Sequence, residues 1–182
     1  MAGRCLVLVW QPGWEFLDIG RFWQILLAIC LVFWVWLLWR WVAPVRNDPD
    51  RRALINFFMI AAAAIPVFYL PALFFDGSTN YTVVDAWRFW IIHWWVEGFF
   101  ELFVTVIVGI LSYELGLVER ITALRAIYLD VILVFGGGII GTGHHWYFTG
   151  QTELNMALAS AFSALEVVPL VLLTSMPGIL SR

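Results

Sequence analysis

The sequence predicts an all-α protein, a polytopic bundle of about five transmembrane helices. Three observations carry this. Hydrophobic residues make up 63% of the 182 positions and charged residues only 13%, against roughly 45–50% and about 25% in a soluble globular domain. A chain of this length cannot hide so much apolar surface in its own core, and lipid removes the need. Five separate stretches each supply the ~20 mostly apolar residues that a spanning helix requires. The 12 tryptophans suit the membrane–water boundary, where amphipathic rings are favoured.

Residues 1–21 read as an interfacial lead. The stretch WQPGWEFLDIGRFWQ is Trp-rich and carries Glu15 and Asp18, and a plain aromatic belt accounts for it without a binding role. The bundle occupies residues 22–182. Its first span covers residues 22–42. The second, 53–75, contains Pro66 and Pro71, which are expected to bend it near its outer end. The third covers 87–113, the fourth 124–148 and the fifth 154–173. There is no internal repeat and no linker long enough to separate domains. Arg40, Arg46, Arg51 and Arg52 cluster around the first loop, and Arg120 and Arg125 flank the third. The second loop, FDGSTNYTVVD, and the fourth, TGQTE, carry no cation. Positive loops stay in the cytoplasm, so the N-terminus and loops two and four are expected outside.

Net charge is −3 with no run of basic residues, which excludes the electrostatic footprint of a nucleic-acid binder. Cys5 and Cys30 make neither a disulfide framework nor a CxxC redox pair. The first nine residues lack the polar flank and cleavage site of a signal peptide, and none is expected.

All three histidines, His93, His144 and His145, fall inside spans, as do Glu97, Glu101 and Glu166. Ionisable groups at membrane depth are costly and are functional-site candidates by default. His93, Glu97 and Glu101 repeat at i, i+4 and i+8 and share one helix face. An imidazole and a carboxylate one turn apart can reach the same metal ion, although a hydrogen-bonded His–Glu pair explains the same spacing. His93 lies about 9 Å along the third span counted from Trp87, and His144 and His145 about 5–6 Å from the outer end of the fourth. Opposite chain directions therefore bring the three to a similar level. Three imidazoles and a carboxylate make a sensible ligand set for iron, copper or zinc. The run GGGIIGTG before the His pair lets a helix or a flat cofactor approach the backbone closely, and ordinary helix packing would use it equally. Glu166 lies about 18 Å along the fifth span, deeper than the histidines. It is placed to hold a proton for a buried reaction, or to bond a backbone carbonyl as a neutral acid.

The stretches HWWVEGFFE, GTGHHWYFTG and FSALEVVPL resemble motifs of the nitric oxide reductase large subunit, a branch of the haem–copper oxidase superfamily. The opening WQPGWEFLDIGRFWQILL looks like the quinol-dependent form. The resemblance covers residues 10–173, with three motifs in order at family-like spacing. It implies that His93, His144 and His145 bind a non-haem iron with Glu97 as its carboxylate ligand. It implies that Glu101 and Glu166 deliver protons or tune the iron. The implied reaction joins two NO into N2O and water, with electrons from quinol or cytochrome c, at a bacterial inner membrane. Oxygen-reducing relatives typically carry Tyr one turn after the first metal-binding His, and copper as the metal. Glu97 stands there instead, and a hard carboxylate favours iron.

In the family, histidines on helices before and after this region anchor two haems. Here no His precedes His93 or follows His145. The axial ligands of haem b are therefore expected from the remainder of the catalytic subunit, and the chain is expected to be a fragment. A non-catalytic membrane segment that at most binds metal, or an oxygen-reductase relative, are the alternatives.

Overall fold

The structure is a computed structural model that describes residues 19–75 and 78–180, with side chains through Ser175. Most of the interfacial lead, with Cys5, lies outside the described residues. Every regular element among the described residues is helical, and five helices are long and apolar enough to cross a membrane.

The first span is α1, Arg21–Val42, mostly apolar, with Arg21 and Gln24 buried at its start. After a short arginine-bearing loop comes α2, Arg52–Tyr69. Its Ala61 and Ala62 are fully buried, where small side chains let neighbouring helices approach. Past Pro66 the chain tightens into a 3-10 turn, Leu70–Phe74, with Pro71 in its first turn. Arg21 donates to the carbonyls of Ala72 and Phe75 there, which occupies acceptors that a helix end leaves free.

The third span begins at Tyr81 rather than near Trp87. Asn80 caps it, its Oδ1 accepting from the Thr82 amide at 2.9 Å, so half of the expected second loop is helix. The span runs as α3, Tyr81–Ile92, a π-helical segment, His93–Phe100, and α4, Glu101–Glu114. The fourth span is α5, Arg120–Gly141, ending in a 3-10 turn, Thr142–Trp146. The fifth is broken: α6, Glu153–Glu166, gives way at Val167 to α7, Val168–Leu180. Pro169 explains the break, because it has no amide to offer the carbonyl of Leu165.

The helices pack in chain order. α1 lies on α2, α2 on the π segment and α4, α4 on α5, and α5 on α6 and α7. Leu54, Phe58, Ile65, Phe99, Leu102, Val106 and Ile127 fill the centre. At the arginine-bearing end, Arg51 forks onto Glu114 with Nε–Oε1 at 2.7 Å and a second bond at 3.0 Å, which ties α2 to the end of α4.

Candidate metal centre

Three elements build the site. The π segment carries His93 and Glu97, the 3-10 turn carries His144 and His145, and α6 ends on Glu166. The π segment bonds i→i+5 and winds wider than an α-helix. His93 Nδ1 nevertheless meets Glu97 Oε2 at 2.8 Å. The same carboxylate oxygen lies 3.2 Å from His145 Nε2 and 3.3 Å from His144 Nε2. Ligand-capable atoms of His93, Glu97, His144 and His145 all fall within 4.8 Å of one another.

The glycines make this approach possible. A Cβ on Gly141 would stand 3.2 Å from Cε1 and Nε2 of His93, and one on Gly138 would stand 3.2 Å from the Trp94 ring. Gly143 packs on Ala159 and Gly141 on the backbone of Ser163, so α5 ends recessed beside α6. Likewise Phe89, well inside α3, is level with Phe148. The sequence-based depths need correction on this point. Counted from Tyr81, His93 lies about 18 Å along its span, and it meets the His pair because α3 and α6 extend past the end of α5. Glu166 is consequently beside the histidines rather than deeper, with Oε1 4.0 Å from His93 Nε2. Glu101 does not join the cluster. It sits one turn beyond Glu97 at the start of α4, with its buried Oε1 unpartnered among the described residues.

The hydrogen bonding bears directly on whether these residues suit a cation. His144 Nδ1–H donates to the Gly141 carbonyl at 2.7 Å. That bond fixes the tautomer and leaves Nε2 as the lone-pair nitrogen. This lone pair faces the Glu97 carboxylate at 3.3 Å, and two acceptors so close repel unless a cation or proton lies between them. His93 Nε2 is buried without a hydrogen-bond partner among the described residues. Nitrogen and oxygen donors converging with unspent lone pairs fit a first-row divalent metal.

Several groups escaped the sequence reading. Phe89 stacks on the His145 ring at 5.6 Å and 17°, and Arg88 lies 4.2 Å above Phe89 while pairing with Asp85 at 2.9 Å. Asp130 is fully buried in the middle of α5. The criterion that selected Glu166, an ionisable group inside a span, applied equally to Asp130 and Arg88, whereas Asp85 fell in the expected second loop and enters the span only because the helix starts at Tyr81.

Comparison with known proteins agrees with the motif resemblance. The family model described as cytochrome c and quinol oxidase polypeptide I matches residues 1–180. A nitric oxide reductase subunit of Stutzerimonas stutzeri is 28% identical over 120 residues, which cover 65% of this chain and 25% of that protein. The aligned part is thus about a quarter of the length of the curated relative.

Proposed function

The chain belongs to the cytochrome c and quinol oxidase polypeptide I family, and from that premise we propose that it carries the non-haem iron site of a membrane nitric oxide reductase. The observation that carries the proposal is Glu97. A carboxylate one turn after His93 shares a single oxygen with all three imidazoles. A hard, anionic donor at this place favours iron over copper, and it supplies no phenol of the kind oxygen-reducing relatives place there.

In this reading His93, His144 and His145 hold the iron, and Glu97 binds it while offsetting part of its charge in a site of low dielectric. When bound, the iron would act as a Lewis acid and keep one NO beside a second held by haem b, which is catalysis by charge stabilisation and proximity. This segment does not fit haem b itself, because its three histidines are committed to the cluster. Axial ligands would come from the remainder of the catalytic subunit, and electrons from quinol or cytochrome c. Glu166 and Glu101 keep buried oxygens free of partners among the described residues, which suits them to hold the two protons consumed as 2 NO become N2O and water. The setting is the lipid bilayer of a bacterial inner membrane.

Iron per protein and NO consumption, measured on the catalytic subunit that contains this segment, test the proposal. Glu97→Ala is expected to lose iron and turnover together. Glu166→Gln is expected to keep iron and slow turnover by roughly 10²-fold, the scale of one general acid. Full iron with normal turnover in Glu97→Ala refutes the ligand assignment.

A further inference from the structure

Asp130 stands at the centre of α5 with 0% of its surface exposed. Neither of its carboxylate oxygens has a hydrogen-bond partner among the described residues. Its polar neighbour is the Thr105 side chain of α4, also 0% exposed and with its hydroxyl unpartnered. Among the described residues, the charged groups that act on Asp130 are Glu101 of α4 and Glu166 of α6. A packing role at this place would have been filled more cheaply by Leu or Val.

Placement gives it a use. Thr105 follows Glu101 by one helical turn on the same face. Asp130 lies about 15 Å along α5 from Arg120, and Thr105 about 14 Å along α4 from Glu114, so both stand midway between the arginine-bearing end and the histidine cluster. Asp130, Thr105 and the buried Oε1 of the half-buried Glu101 thus form a file of polar groups between the two.

We propose that Asp130 and Thr105 form a proton-entry branch that feeds Glu101 from the arginine-bearing face of the bundle. The proposal rests on the reading that Glu101 serves a proton-consuming site. In each transfer the Asp130 carboxyl gives its proton to Thr105 Oγ1, and the hydroxyl passes its own proton to the Glu101 carboxylate. Asp130, left as the anion, takes up a proton from the arginine-bearing side. No electrons move, and Thr105 ends as it began.

The test is infrared spectroscopy on the whole chain in lipid vesicles, mixed rapidly into acidic heavy water. The band followed is the deuterated carboxyl of Glu101, identified by its loss in Glu101→Gln. Asp130→Asn and Thr105→Val are each expected to slow its growth by roughly tenfold or more, the effect of removing one hydrogen-bonded link. Thr105→Ser restores the hydroxyl and should restore the rate. The Thr105 pair carries the test alone should Asp130→Asn fail to fold. Unchanged growth in Asp130→Asn and Thr105→Val overturns the branch, as does a Thr105→Ser rate no faster than that of Thr105→Val. Iron uptake by the same preparation separates the two readings. Absent uptake with slowed exchange in the variants sinks the metal centre and leaves the branch standing, and uptake with unaltered exchange sinks the branch alone.

Discussion

A single oxygen, Glu97 Oε2, gathers three imidazoles at 2.8, 3.2 and 3.3 Å, and this makes the site intolerant of small changes. Glu97→Asp keeps the charge but withdraws the oxygen by one methylene, far beyond the ~0.2 Å tolerance of a metal–ligand bond. Its iron affinity in a metal titration is expected to fall nearly as far as that of Glu97→Ala; wild-type affinity would show that the carboxylate is no ligand. Gly141 is equally constrained. A methyl group there would press on Cε1 and Nε2 of His93 from 3.2 Å, and His93 is itself 1% exposed with nowhere to retreat. Gly141→Ala is expected to weaken iron binding about 10- to 100-fold, the scale of losing a group that orients a ligand, with helix content by circular dichroism unchanged. Unaltered binding would mean that the ring can tilt without loss.

The elements differ from ideal spans at the places where they meet the site. His93 and Glu97 lie in a π-helical segment, His144 and His145 in a 3-10 turn, and Glu166 at a helix break. π turns recur at functional sites because the extra residue re-aims the side chains that follow. Deleting Val96, which is 42% exposed and therefore gives up little packing, should return the segment to α-helix. Glu97 would then follow His93 by three residues, still on the same face but turned by roughly 30° from its present direction, which moves the carboxylate by far more than the ~0.2 Å a metal–ligand bond tolerates. The expected outcome is preserved helicity with loss of iron binding. Binding that survives the deletion would show that the π turn does not aim Glu97. The spacing of His93 and Glu97 was legible in the sequence, but the winding between them was not. Apolar periodicity is compatible with either turn when lipid and protein both accept apolar side chains.

Over the whole molecule, most large side chains that face outward are apolar. On α1 they include Phe22, Trp23, Ile29, Phe33 and Trp41, the pattern of a helix solvated by lipid or by further helices. Arginine at the ends carrying Arg46, Arg51, Arg52 and Arg120 predicts that those ends face the cytoplasm. A reporter fused after Arg182 should be active on the cytoplasmic side; activity confined to the periplasm would reverse the orientation and with it the side from which Asp130 is supplied. The three histidines are drawn into one cluster, and a low-spin haem needs two axial ligands, usually His or Met. The purified 182-residue chain is therefore expected to show no low-spin bis-histidine haem spectrum, and a stoichiometric one would mean that the histidines are misassigned.

Composition and the lengths of the apolar runs were enough to establish five helical spans, because a bilayer demands about 20 apolar residues per crossing and leaves the backbone few alternatives. The identities of His93, Glu97, His144, His145, Glu101 and Glu166 as candidates were legible for the same reason: an ionisable group inside such a run stands out. Only the tertiary structure decided how they meet. The start of α3 at Tyr81, the recessed end of α5 and the break at Val167 set which residues share a level. Each depends on a local event, the Asn80 cap, the glycine contacts with α6 and Pro169, whose consequence for depth accumulates along a helix at ~1.5 Å per residue. The placing of Asp130 beside Thr105 belongs to the same class. It lies across the α4–α5 interface, and helical periodicity within one span carries no information about which face of the next span it will touch.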